Sequence, residues 1–193
     1  MGETVDSQEK NRRGKGKTAS PLSSIKGWTM RINLRRAPLP RIMQSVPRLE
    51  PGRPAPDFEA PVTSGEIIRL SKYRGRRVIL YFYPKDDTPG CTVEACGLRD
   101  HYDRIRELGA EVLGVSVDDS ESHRRFTGKF NLPFALVADV GAKIAEAYGV
   151  YNAERKTARR VTFLIDETGN IQRVFDPVKP DAHSGEVLDA LKA

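Results

Sequence analysis

Residues 77–100 read RVILYFYPKDDTPGCTVEACGLRD. Val78 to Tyr83 form an unbroken apolar and aromatic run, the pattern of a strand buried on both faces. The turn PKDDTPG follows, and after it Val93, Leu98, Tyr102, Ile105 and Leu108 recur at helical spacing, closed by Gly109. This spacing predicts one helix over 91–108. Both cysteines of the chain, Cys91 and Cys96, lie in that helix, five residues apart.

Outward from this segment the same alternation continues. RLEPGRPAPDFEAP (48–61) carries Pro51, Pro54, Pro56 and Pro61, which suits an extended lead-in with a short edge strand. EIIRL (66–70) reads as a strand and SKYRG (71–75) as a turn. AEVLGVSV (110–117) and FALVAD (134–139) read as strands, separated by a helix over 119–130. AKIAEAYG (142–149) is a short helix. RVTFLID (160–166) and IQRVF (171–175) form a hairpin across ETGN, and SGEVLDALK (184–192) closes the chain as a helix. The expectation is an α/β fold with parallel strand pairs finished by an antiparallel hairpin, in one domain over 47–193.

Residues 1–46 differ in character. The first 45 hold ten Lys/Arg against Glu3, Asp6 and Glu9, whereas the remaining chain holds 22 basic against 23 acidic residues. The net charge of +6 therefore resides in this segment and the folded part is close to neutral. With few apolar residues and no sustained period, 1–46 is expected to be a disordered basic extension; Met30 and Met43 offer alternative starts, and a leader is the other reading. The longest apolar run is far short of the roughly 20 residues that a spanning helix needs. With no signal-peptide-like core, the expected location is the cytoplasm.

Two cysteines in 193 residues do not make a disulfide scaffold. Metal ligation is also a poor fit, because His101, His123 and His183 show no ligand spacing with the cysteines. Cys91 falls in the first turn of the predicted helix, where unpaired N–H groups and the helix dipole favour a thiolate. Thr88, three residues earlier, can place a hydroxyl beside the sulfur, and Pro84 offers no N–H and shields one side. In an intact helix a five-residue offset separates Cα atoms by roughly 8.7 Å, beyond the limit of about 7 Å for a disulfide. The pair can join only if the helix start unwinds. That arrangement suits a nucleophile that first reacts elsewhere, giving a sulfenic acid that the second thiol condenses with.

FYPKDDTPGCTVEACGLRD resembles the active-site segment of the peroxiredoxins, in particular the bacterioferritin comigratory protein (PrxQ) subfamily. The resemblance spans about 48–192 and includes PAPDFEAP, LPFALVAD, KIAEAYGV and RVTFLID. It implies a thioredoxin-like fold with a central mixed sheet flanked by helices. It further implies an atypical 2-Cys thiol peroxidase for hydrogen peroxide and organic hydroperoxides, recycled by thioredoxin or a similar dithiol, with no cofactor. In that role Cys91 is the peroxidatic nucleophile, Cys96 the resolving cysteine, Thr88 the peroxide hydrogen-bond donor, Pro84 a pocket wall, and Arg160 the pocket arginine. Arg159 beside it points to the opposite face, since side chains alternate along a strand. A monomer without membrane or nucleic-acid partners is expected.

Blander readings stand beside these. Cys96 as a packing residue would leave resolution to an external thiol. His101 reads as a surface or packing residue, Glu94 and Arg99 as a solvated helix face, and DDSESHRR (118–125) as a helix cap. Two competing functions remain open at this level. A redox sensor would lack rapid turnover with a reductant; a nucleic-acid binder would show salt-dependent retardation of DNA that is lost on deleting residues 1–45.

Overall fold

The computed structural model describes residues 49–193; the basic segment expected to be disordered lies outside them. Strand β3 (Arg77–Phe82) runs through the middle of a five-stranded sheet. On one side it pairs in parallel with β4 (Ala110–Ser116), which pairs in parallel with β5 (Ala135–Ala138). On its other side it pairs antiparallel with β8 (Val161–Ile165), which forms a hairpin with β9 (Ile171–Phe175). The spatial order β5-β4-β3-β8-β9 is that of a thioredoxin-like mixed sheet. Two small hairpins lie outside it: β1 (Glu59–Pro61) with β2 (Ile67–Arg69), and β6 (Tyr151–Asn152) with β7 (Thr157–Ala158).

The continuous apolar run of β3 has its cause in two cores. Ile79, Tyr81 and Tyr83 face one layer, built with Cys91, Ala95, Leu98, Ile105, Phe126 and Val187. Val78, Leu80 and Phe82 face the other, with Val115, Ile144, Tyr148 and Phe163. The first layer is roofed by α1 (Pro89–Asp100), α2 (Tyr102–Glu107), α3 (Ser120–Phe130) and α5 (His183–Lys192); the second receives α4 (Lys143–Ala147). At the centre of β4, Gly114 is required by close approach, because a Cβ there would lie 2.7 Å from both the Tyr81 ring and Leu136.

The single helix expected over 91–108 is two helices. The break is at His101, whose backbone (φ −107°, ψ 5°) leaves the helical region. Its Nδ1 donates to the Gly97 carbonyl at 2.9 Å, the acceptor that a continuing helix would offer to the backbone N–H of residue 101. That N–H turns to Arg99 O instead. The apolar spacing carries on across the break because α1 and α2 cover the same core layer. Hairpin β6–β7 is absent from the sequence reading: two-residue strands are too short to show a period. No helix among the described residues is long and apolar enough to cross a membrane.

Gly114→Ala should overpack the sheet centre. The expected loss is about 1–3 kcal/mol, read as a lower denaturant midpoint with an unchanged slope.

Candidate active site

The β3–β8 register assembles the site. Phe82 pairs with Val161, so the residue before β8, Arg160, lies beside the chain leaving β3 toward Cys91. The separation of 69 positions between Arg160 and Cys91 is spanned by a strand pairing rather than by local sequence.

Helix α1 starts immediately after this crossing. Thr88 is its N-cap, with extended backbone (φ −92°, ψ 149°), and Pro89 opens the first turn. Proline suits this position because its missing N–H would be unpaired in any case. Thr88 O accepts from Thr92 N at 2.8 Å. The Thr88 hydroxyl does not cap the helix but donates to Lys85 O at 3.0 Å. Cys91, the third residue of α1, is buried, whereas Cys96 is partly exposed; both thiols are free. The two sulfurs share one intact helix, as the sequence spacing requires.

Arg160 grips two groups at once. Its Nη2 donates to Cys91 Sγ at 3.1 Å, and its Nη1 donates to Glu94 Oε2. Gly90 makes room for this: a Cβ there would stand 3.3 Å from Arg160 Nη2. Arg159 is exposed and reaches Asp176 at 3.4 Å. Burial works against the charge of Arg160, but Glu94 and Cys91 outweigh it and hold its pKa above the ordinary arginine value. A guanidinium in this position stabilises negative charge on the groups it donates to.

Glu94 corrects the sequence reading. It is not part of a solvated face but is 1% exposed, turned inward beneath Arg160. Burial pushes its pKa up from 4.5 to about 7, against the pull of Arg160. Its second oxygen, Oε1, has no hydrogen-bond partner and lies 3.9 Å from His183 Nε2. His183 is itself fully buried, with Nε2 2.8 Å from Thr162 Oγ1 and Nδ1 unpartnered. Burial, with a smaller push from Arg160, lowers its pKa from 6.5 to about 4. Neither Glu94 nor His183 entered the sequence-based site. The available signal was the i, i+3 spacing from Cys91 to Glu94, which puts both on one helix face; for His183 the sequence offered none.

The loop between β3 and α1 is held from behind. Asp86, buried, accepts from Tyr83 Oη at 2.7 Å, Ser122 Oγ at 2.7 Å and His123 Nδ1 at 2.9 Å. Burial opposes its ionisation, but the hydrogen bond and charge of His123, with Tyr83 and Ser122, keep its pKa below the usual value. Asp119 caps α3 by accepting from Ser122 N at 2.8 Å, as the 118–125 segment suggested, while His123 on the next turn ties that helix to the loop. His101 is exposed.

Residues 51–174 match the model of the AhpC/TSA family. A putative peroxiredoxin Bcp of Coxiella burnetii is 46% identical over 149 residues, covering 74% of this chain and 99% of that one. Peroxiredoxin Bcp of Bacillus subtilis is 43% identical over 150 residues, covering 75% and 96%. The chain belongs to the peroxiredoxins of the AhpC/TSA family. Among solved structures, peroxidoxin BcpB from Mycobacterium tuberculosis superposes with a TM-score of 0.70 at 32% identity, over 75% of this chain and 97% of that one. PrxQ from Xylella fastidiosa does so at 0.71 and 32%, over 75% and 96%. This peroxiredoxin is thus of the Bcp/PrxQ type, a cysteine-based thiol peroxidase.

Glu94 and His183 impose opposite pH slopes on the stability of this peroxiredoxin. A carboxyl with a raised pKa is favoured in its protonated form, so the Glu94 contribution is complete below 4.5 and is lost as pH climbs to about 7. A histidine with a depressed pKa penalises the cation, so stability rises with pH between about 4 and 6.5. Glu94→Gln should leave a curve that rises through the His183 window. His183→Gln should leave one that falls through the Glu94 window. Denaturant titrations at stepped pH measure both.

Proposed function

We propose that this peroxiredoxin reduces hydrogen peroxide and organic hydroperoxides through Cys91, with Cys96 as the resolving thiol in an atypical 2-Cys cycle. The observation that carries the reading is the 3.1 Å bond from Arg160 to Cys91 Sγ in the first turn of α1. Cation and helix N-terminus converge on one buried sulfur, the surroundings that a reacting thiolate requires. The thiolate attacks the terminal oxygen of the peroxide, the O–O bond breaks, and the sulfur becomes a sulfenic acid as an alkoxide or hydroxide departs. Arg160 stabilises that departing charge. The Thr88 hydroxyl, released from Lys85 O by rotation, donates to the bound peroxide, and Pro84 walls the pocket. A structure of the Xanthomonas campestris bacterioferritin comigratory protein is described in terms of alkyl peroxide reduction, which supports extending the substrate class to organic hydroperoxides.

Resolution requires the start of α1 to unwind, because Cα atoms five residues apart in a helix are about 8.7 Å from each other. The Cys96 thiol then displaces water from the Cys91 sulfenic acid and forms the disulfide. An external dithiol protein of the thioredoxin kind, in the cytoplasm, reduces that bond by exchange.

Intact mass after one equivalent of hydrogen peroxide tests the assignment. Wild type should lose two hydrogens, and Cys96→Ser should gain one oxygen. Cys91→Ser should do neither and should have no turnover; a Cys91→Ser enzyme as active as wild type would sink the mechanism. Arg160→Ala should retain the reaction but lower the rate of sulfenic acid formation by about a hundredfold or more, in line with loss of a single oxyanion donor.

A further inference from the structure

The peroxidatic reaction makes no evident use of Glu94, although burying a carboxylate is costly. Its surroundings from every packed element are these. Arg160, ahead of β8, donates to Oε2. His183 of α5 stands 3.9 Å from Oε1 without a hydrogen bond, and the Glu186 carboxylate lies behind its far nitrogen at 3.9 Å. Tyr81 of β3 is a neutral phenol whose burial holds its pKa well above the usual value. Cys91 shares the Arg160 fork. One cation therefore faces two groups that can each carry a negative charge. The unpartnered Oε1 favours a protonated carboxyl, and a neutral His183 offers no second positive charge.

We propose that Cys91 and Glu94 share a single negative charge across the Arg160 fork, so that Glu94 holds a proton while Cys91 is a thiolate and releases it when the thiolate is oxidised. This rests on Cys91 being the peroxide-reactive sulfur. The balance is complete. Thiolate plus ROOH gives sulfenic acid plus RO⁻; Glu94 ionises, now the sole anion on Arg160; its proton and the RO⁻ make ROH. Two electrons pass from sulfur to the peroxide, and the proton needed by the leaving oxygen comes from the protein rather than the medium. Glu94 is a positioning and charge-balancing residue that acts through Arg160.

The test counts protons in a single turnover of Cys96→Ser, which stops at the sulfenic acid. The reaction is followed with a pH indicator in weak buffer near neutrality, using hydrogen peroxide, with intact mass on the same samples. Cys96→Ser should gain one oxygen and take up no proton. Adding Glu94→Gln should still give the oxygen but draw one proton per peroxide from solution. Uptake of one proton by Cys96→Ser, or of none by both proteins, overturns the shared charge. Absence of the oxygen instead overturns the assignment of Cys91. Should the Glu94→Gln form not fold, infrared difference spectra of Cys96→Ser decide. A protonated-carboxyl band must vanish on oxidation, and a band that persists refutes the proposal.

Discussion

The site depends on one arginine reaching a sulfur 69 residues away. That reach is set by backbone pairing: the antiparallel register of β3 with β8 brings Val161 opposite Phe82 and leaves Arg160 at the point where the chain turns toward Cys91. Two cores press the sheet from opposite faces and fix that register, because a slip of one residue would exchange the faces of β3. Gly90 then supplies the clearance that lets the guanidinium lie against the first turn of α1.

Burial of Cys91 and its proposed reactivity are reconciled by the same arrangement. Cys91 is 2% exposed, an environment that opposes an anion. The helix N-terminus and Arg160 supply compensating positive potential where water is scarce and the interaction is correspondingly strong. Behind the fork, Asp86 gathers hydrogen bonds from Tyr83, Ser122 and His123. The loop leading to Cys91 is thereby fastened to α3 as well as to the end of β3, so the Cys91 thiol follows a tied segment rather than a free turn.

Much of this was legible in the residues. The buried strand at 77–83, the turn after it and the helix carrying both cysteines follow from periodicity and composition, and their order implies the mixed sheet. Cys91, Thr88 and Pro84 stand out by spacing. Arg160 emerges only through the family resemblance, because no local pattern shows which strand edge will face the cysteine. Glu94 was misread since a carboxylate on a helix is usually solvated, and its burial depends on α5 and β8 closing over it. His183 and the Asp86–His123 link are invisible for the same reason: they are contacts between elements distant in sequence. The break at His101 was hidden because hydrophobic period reports which face is covered, not whether the backbone is continuous.

That break has a consequence for the proposed cycle. A helix of eighteen uninterrupted residues would melt and re-form as one cooperative unit, whereas α1 ends at Asp100 and α2 begins at Tyr102. On the far side of the joint, α2 is fastened separately: Tyr102 Oη donates to Glu111 at 2.7 Å and Arg77 holds Leu108 O at 2.6 Å. The joint therefore acts as a firebreak. In the proposed cycle, the segment bearing both sulfurs can unwind without the roof of the core beyond the joint having to unfold with it.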